Sequence, residues 1–306
     1  MMCAAVTAPA SSRGQHRKSA PAPAAVASPI VPMTMTFCGQ KVDLNRADIF
    51  ERFDRELTSV AFTHGNTLLT IKRANKYFPQ MAPVLTRHGV PQDLLYLACV
   101  ESYLSNRAYS PAKAAGVWQF LASTAKEYGL EVSDEVDERF NLEKATDAAC
   151  RYLKSAYREY GDWATAMASY NGGRGRITAE LSRQEVDTAF DLYLTEETQR
   201  YVYRIMAMKA VMENPRVFGF ELHDAAQLYQ PVDVDIVEVS GAVESWPKWA
   251  HEHGVTYAQL REENPWIRAQ KLTNKSLKTY AVRVPKKNAL LRTHQHQTVY
   301  NKAWVK

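Results

Sequence analysis

The spacing of apolar residues between Val42 and Phe220 is the strongest constraint that this sequence places on its fold. Apolar side chains recur there at intervals of three and four, and the pattern breaks mainly at glycines, the usual stops of helices. Almost nothing in this range alternates with a period of two, as a half-buried strand does. The pattern predicts an all-helical unit that is long enough to bury one sizeable core.

The last third of the chain follows a different pattern. Alternating apolar residues begin at Val232 and return between Tyr280 and Val284, with two helical stretches between them. The order strand, helix, helix, strand predicts a second, smaller α+β unit. The predicted division is a leader or disordered linker over 1–40, a helical domain over 41–225, a small domain over 231–286, and a polar, frayed C-terminal tail over 287–306.

The first residues predict export rather than a folded element. The stretch up to Pro32 is rich in Ala, Pro and Ser, a composition that cannot bury a core. Its first ten residues resemble the end of an export signal, without the basic start and longer apolar run. We therefore expect an exported protein of the periplasm or cell envelope. The N-terminus is a candidate membrane tether, with Cys3 as the residue to test for a lipid anchor.

Charge and residue types argue against several classes of function. The 38 basic and 33 acidic residues leave a net charge of +5, too mild a bias to indicate a nucleic-acid partner. The cysteines lack the paired spacing of a zinc site, and His294 and His296 come without further ligands. We expect no metal and no cofactor. Cys99 and Cys150 fit either a disulfide or two buried free thiols, and the oligomeric state is left open.

Glu101 is the one carboxylate on the apolar face of its predicted helix, which also carries Leu94, Leu97 and Leu104. An acid on such a face loses hydration, which disfavours its charged form and raises its pKa. A carboxyl group with a raised pKa can donate a proton near neutral pH, as a general acid must. From this helix alone, a structural Glu satisfied by a partner is the commoner interpretation. The motifs that follow favour catalysis.

Three motifs in sequence order carry a family resemblance. In the first, Ser110 and Gln119 follow Glu101 by nine and eighteen residues. The second is Ala-Ser-Tyr-Asn-Gly-Gly over 168–173, and the third is Glu-Thr-Gln-Arg-Tyr-Val over 197–202. Together they resemble the family 1 lytic transglycosylase domain of bacterial cell-wall enzymes, nearest its membrane-bound murein transglycosylase D group.

The resemblance implies a mostly α fold, with a lysozyme-like helical domain whose cleft binds peptidoglycan glycan strands. It implies that Glu101 is the catalytic acid. The residues that it implies for substrate binding in the cleft are Ser110, Gln119, Tyr170, Asn171 and Tyr201. The sequence departs from the family pattern at Lys113, where Gly is common, and at Gly172, where Ala is common. These departures bear on substrate preference rather than on reaction type.

Residue chemistry agrees with that role for Glu101. Cleavage of a β-1,4 link requires a proton at the leaving oxygen while positive charge develops at the sugar carbon. Ordinary glycosidases use a second carboxylate, and its nearest source here is the acidic loop of Asp134, Asp137 and Glu138, a run typical of solvated surface. Otherwise the N-acetyl group of muramic acid stabilises the cation, and ionised Glu101 then accepts the 6-hydroxyl proton. The product is a 1,6-anhydromuramic acid.

The segment from Val234 to Pro285 resembles a LysM carbohydrate-binding module, most closely over residues 249–265. It predicts a small α+β LysM-like domain. Its tryptophans, among them Trp246 and Trp266, either stack on sugars or pack in the core.

Two alternatives to a lytic transglycosylase stay open. A goose-type muramidase would use water and leave a reducing end, and a non-catalytic protein would bind peptidoglycan in a dead cleft. A nucleic-acid binder built on Arg174 and Arg176 is the least favoured.

Overall fold

The computed structural model of this chain describes residues 27–275 and 277–306. The predicted export signal and Cys3 lie outside the described residues. Within the described ranges, no helix combines the length and the apolar character that crossing a membrane requires.

Helices dominate the described residues, and the strands pair only in antiparallel twos. The helices are α1 (Ala47–Phe62), α2 (His64–His88), α3 (Leu94–Ser102), α4 (Ala122–Glu127), α5 (Leu142–Tyr160), α6 (Trp163–Gly172), α7 (Arg174–Gln184), α8 (Glu196–Glu213), α9 (Trp246–Glu252) and α10 (Tyr257–Glu263). The strands are β1 (Thr34–Phe37), β2 (Gln40–Asp43), β3 (Val234–Val239) and β4 (Tyr280–Pro285), with β1 paired to β2 and β3 paired to β4. The predicted fold class, a mostly α domain followed by a small α+β domain, is confirmed.

The helical domain is arranged around α8, which packs against α1, α3 and α6. Ten residues of α8 are buried, so the helix runs through the core rather than along its surface. Helix α5 contacts α2 and α6 through a stripe of alanines, and these small side chains allow close approach of the helices. The cysteines on α3 and α5, Cys99 and Cys150, are buried free thiols. Burial raises the pKa of the Cys150 thiol to about 12.

A β-hairpin precedes the helices where a linker and a helix start were expected. Strands β1 and β2 meet at Cys38 and Gly39, whose positive φ angles of 51° and 78° suit a tight hairpin turn. Phe37 and Val42 from the hairpin are buried in the helical core. The structure therefore differs from the predicted linker over 34–40. Strands of four residues are too short for their alternating pattern to be recognised in the sequence.

The end of the chain is packed, so the prediction of a frayed tail is wrong for residues 298–306. Residues 298–306, here termed the C-terminal strap, return to α2 and α8. The strap's Trp304 is only 2% exposed, and its indole nitrogen donates a hydrogen bond of 2.7 Å to the carbonyl of Met212. The side chain of Asn75 on α2 bonds the backbone of Thr298 and Tyr300. The polar composition of the tail gave no indication of these few contacts in the sequence.

The small domain has a separate apolar core, to which the helical domain also contributes residues. Trp246 and Trp266 are buried in this core, so packing, and not an open sugar platform, describes both side chains. The same apolar cluster includes Val136 and Phe140 of the helical domain. The buried Asn264 side chain bonds the backbone of β4 and closes the small domain on itself. The two domains are therefore in direct apolar contact.

Candidate active site

Glu101 lies in the last turn of α3, where the chain changes direction sharply. Tyr103 and Leu104 follow the helix with φ angles of 50° and 54°, a rare pair of left-handed non-glycine residues. The hydroxyl of Ser102 donates a 2.9 Å hydrogen bond to the carbonyl of Val117. This bond ties the end of α3 to residues 108–120, here termed the cleft loop.

Glu101 is half-buried as a residue, and its carboxyl group accepts a hydrogen bond from the hydroxyl of Tyr201 on α8. Desolvation raises the pKa of Glu101 to about 7, against the lowering effect of the Tyr201 hydrogen bond. The negative charge of Glu197 raises this pKa further, and Arg204 lowers it. Near neutral pH the group therefore exists in both forms, so it can give a proton away and take one back.

Two tyrosines from different helices lie close to Glu101, and one of them, Tyr201, bonds it. Tyr170, in the last turns of α6, donates a 2.6 Å hydrogen bond to the carbonyl of Trp118 in the cleft loop. Burial raises the pKa of both Tyr170 and Tyr201, and the charge of Glu101 adds to this effect. Asn171 follows Tyr170 at the end of α6 and is half-buried. Helices α3, α6 and α8 thus converge on the carboxyl group.

Ser110 and Gln119 brace the cleft loop itself. The hydroxyl of Ser110 accepts a hydrogen bond from the backbone of Ala114, and the amide of Gln119 donates to the carbonyls of Ala108 and Gly116. Among the described residues, the structure records no hydrogen bond from either side chain to Glu101. Direct contact of Ser110 and Gln119 with a sugar stays a prediction.

Two residues of the acidic loop are buried, although the sequence pattern is typical of solvated surface. Asp137 and Glu138 are 6% and 4% exposed. Asp137 pairs with Arg139, and Glu138 pairs with Lys144 and accepts from the backbone of Glu131. These carboxylates are engaged in structural contacts.

Glu197 is a second carboxylate close to Glu101, and it is exposed at the start of α8. Glu197 is the first residue of the third motif, and the sequence alone assigned no role to it. It precedes Tyr201 by four residues, which places both on one face of a helix. That spacing is the signal that would have found it.

Lys113 occupies a position that favours glycine. Its φ angle is 63°, a left-handed conformation that costs a side-chain-bearing residue about 1–2 kcal/mol. We expect Lys113→Gly to raise the free energy of unfolding by about 1 kcal/mol, measured by urea denaturation. Lys113→Ala is the matched control, because it removes the charge and keeps the Cβ atom, and it should bring no gain. Equal gains in both variants would contradict a backbone origin.

Comparisons with known proteins give matches for both units of the chain. Residues 83–190 match the transglycosylase SLT domain, and residues 235–288 match the soluble lytic transglycosylase C-terminal LysM-like domain. Membrane-bound lytic murein transglycosylase D of Escherichia coli (strain K12) is 29% identical over 246 residues, which cover 79% of this chain and 52% of the relative. The chain thus spans about half the length of that relative.

Two other relatives cover different shares of the chain. A protein named for tributyltin chloride resistance in Alteromonas sp. (strain M-1) is 28% identical over 56% of this chain and 85% of its own length. Peptidoglycan transglycosylase gp16 of Escherichia phage T7 is 39% identical over 29% of this chain and 7% of its own length.

Proposed function

We propose that this chain, in which a transglycosylase SLT domain precedes a LysM-like domain, is a peptidoglycan lytic transglycosylase. It cleaves the β-1,4 bond between N-acetylmuramic acid and N-acetylglucosamine and leaves a 1,6-anhydromuramic acid. The observation that carries the proposal is Glu101, whose pKa of about 7 and contact with Tyr201 suit a group that both donates and accepts a proton.

The reaction needs one carboxyl group in two successive roles. Protonated Glu101 gives its proton to the oxygen of the leaving N-acetylglucosamine as the bond from that oxygen to the muramic C1 breaks. The N-acetyl group of the muramic ring stabilises the positive charge at C1. Ionised Glu101 then accepts the 6-hydroxyl proton, and the 6-oxygen bonds to C1. Glu101 ends protonated, and no water is consumed.

Tyr201 supports the second of these roles. Its hydroxyl donates to the carboxylate, so it favours the ionised form of Glu101 that must accept the 6-hydroxyl proton. Burial favours the protonated form that starts the reaction. The two opposing effects keep the pKa near the pH at which proton transfer in both directions is easiest.

The pH dependence of cleavage follows from this balance. We expect kcat/KM to fall as the pH rises through about 7, where free Glu101 loses its proton. Tyr201→Phe removes the hydrogen bond that lowers the pKa, so this fall should move to higher pH. The matched control is Tyr203→Phe, which removes a buried hydroxyl from the same helix without touching the contact to Glu101. A Tyr201→Phe profile that coincides with wild type would contradict the assigned contact.

The products of murein digestion test the proposed function. Mass spectrometry of muropeptides released from purified sacculi should find ends lighter by one water than hydrolytic ends, as 1,6-anhydro closure requires. Free reducing ends in their place would overturn the proposal in favour of a goose-type muramidase. Binding to sacculi without any soluble product would favour a non-catalytic peptidoglycan-binding protein.

We propose the cell envelope as the location, in keeping with an E. coli relative named as membrane-bound. The membrane tether through the N-terminus is a proposal that rests on Cys3. Metabolic labelling with a tagged fatty acid should mark the wild-type protein and leave Cys3→Ser unmarked. An unlabelled wild-type protein in the soluble fraction would exclude this tether.

A further inference from the structure

Arg139 is a buried cation that fastens the cleft loop at two points. Its side chain is 4% exposed and makes a forked pair with Asp137, with N–O distances of 2.9 and 2.7 Å. The remaining guanidinium nitrogen donates to the carbonyl of Lys113 at 2.8 Å and to that of Phe120 at 3.1 Å. One side chain therefore holds the middle and the end of the loop that carries Gln119.

The backbone of Arg139 also supports this loop. Gly116 packs so closely on it that a Cβ atom at Gly116 would lie 1.9 Å from the Arg139 carbonyl oxygen. Within the loop, Ala115 forms bridges with Tyr109 and Phe120. Both backbone and side-chain contacts thus hold the cleft loop against residues 136–140.

The LysM-like domain also contacts this segment. The backbone of Asp137 donates a 2.9 Å hydrogen bond to the carbonyl of Trp266, and that of Arg268 donates a 2.8 Å bond to the carbonyl of Glu135. The guanidinium of Arg268 lies 4.6 Å from the centre of the Phe140 ring. Segment 135–140 therefore contacts both the LysM-like domain and the cleft loop.

Polar contacts extend this docking on both sides. The carboxylate of Glu135 accepts from the backbone and hydroxyl of Thr273 at 2.8 and 3.0 Å. That of Glu131 accepts from Lys278 at 2.7 Å and from Tyr280 at 2.9 Å. Three of these four hydrogen bonds are exposed and one is partly buried, so the shared apolar core beside them contributes more to the orientation of the domain.

We propose that Arg139 is a positioning residue of the active site and that the docked LysM-like domain holds it in place. The loop it braces contains Ser110, Gln119 and the Trp118 carbonyl that accepts from Tyr170. The LysM-like domain then acts on glycan cleavage through the shape of the cleft, whether or not it binds glycan itself. The catalytic consequence rests on the proposed function, whereas the structural link from domain to loop does not.

Hydrogen exchange in the full chain tests the link without reference to activity. Arg139→Lys keeps a charge beside Asp137 but cannot reach both loop carbonyls in a fork. Loss of hydrogen bonds from a charged group, at about 1.5–3 kcal/mol, corresponds to exchange faster by about 10- to 150-fold. We expect this increase at loop amides such as Ala115 and Gly116, with α5 and α8 unchanged. Unchanged loop exchange, or an equal rise in the helices, would overturn the proposal.

A second variant keeps the proposal testable if a single substitution leaves a buried charge unpaired and prevents folding. Asp137→Asn with Arg139→Gln removes both charges together, so no buried ion remains without a partner. This double variant should show the same localised increase in loop exchange. If it folds and its loop exchanges as slowly as wild type, Arg139 does not position the loop.

The role of the LysM-like domain is tested at Arg268, which is exposed and stacks on Phe140 from outside both cores. Arg268→Ala should speed exchange in the cleft loop, and Lys248→Ala, an exposed cation on α9 of the same domain, should not. If Arg139→Lys speeds loop exchange and Arg268→Ala leaves it unchanged, the part of the proposal that concerns the domain fails.

Kinetics on soluble, uncrosslinked glycan strands separate positioning from general destabilisation. A misplaced loop should raise KM in Arg139→Lys, and misplacement of about 1 Å can cost up to about 10²-fold in kcat/KM. The fall in activity near pH 7 should stay in place, because the groups that shift the pKa of Glu101 are intact. Lower kcat at unchanged KM would indicate a smaller folded fraction and count against the proposal. Absence of glycan cleavage by wild type would refute the proposed function and leave the exchange result standing.

Discussion

Glu101→Gln is expected to lower the rate of glycan cleavage by about 10²–10⁴-fold, the contribution typical of general acid–base catalysis. Glutamine has nearly the same shape, but it can neither protonate the leaving oxygen nor accept the 6-hydroxyl proton. Release of anhydro-terminated muropeptides from sacculi measures the effect, and binding to sacculi should be retained. Glu127→Gln, at an exposed carboxylate of α4, is the matched control and should cleave like wild type. Wild-type cleavage by Glu101→Gln would contradict the mechanism.

Stability measurements on the same variant check that it is folded. The pKa of Glu101 is about 7 in the folded protein and 4.5 as its ordinary value, so the folded state binds this proton more tightly. The stability that this preference contributes is fully present below pH 4.5 and is lost as the pH rises through about 7. Glu101→Gln has no such proton. Thermal unfolding at pH 5 and pH 8 should therefore favour the variant over wild type more strongly at pH 8.

Gly116→Ala is expected to give the largest loss of stability, about 3–5 kcal/mol or more, and to displace the cleft loop. The φ angle at Gly116 is 77°, and an added Cβ atom would lie 1.9 Å from the backbone oxygen of Arg139, a contact that no rotamer change relieves. Urea denaturation measures the loss. The control is Gly129→Ala, where φ is 79° and nothing lies within 4 Å of the added atom. It should cost only the conformational 1–2 kcal/mol or so.

Comparable losses at the two glycines would show that backbone conformation alone limits both positions. A much larger loss at Gly116 would show that the loop has no freedom to move away from segment 136–140. Cleavage activity of folded Gly116→Ala should also be low, since the loop that carries Gln119 cannot keep its place.

Helical periodicity was sufficient to predict the elements that carry Glu101, Tyr170 and Tyr201. Each lies in a helix within the range where apolar residues recur at intervals of three and four, and the family motifs added their relation to one another. The pKa of Glu101 was predicted in direction for the same reason, because an acid on an apolar face is desolvated.

The role of segment 131–140 could not be predicted in this way. Its run of acidic residues is typical of solvated surface, and only the fold brings Arg139 to the carbonyls of Lys113 and Phe120 and the LysM-like domain to Phe140. Long-range pairings of this kind leave no periodic signal. The packing of Trp304 could not be predicted for the same reason, because one indole in a polar tail bonds a carbonyl of a helix that is distant in sequence.

The C-terminal strap has a consequence for how the protein can be divided. Because residues 298–306 return to α2 and α8, the LysM-like domain is in effect an insertion, joined to the helical domain at both ends. A fragment cut after residue 225 would leave Phe78 without the rings of Tyr300 and Trp304, which contact it at centroid distances of 5.4 and 6.1 Å. Such a fragment would expose an apolar groove and tend to aggregate, whereas adding the strap as a separate peptide should restore its solubility.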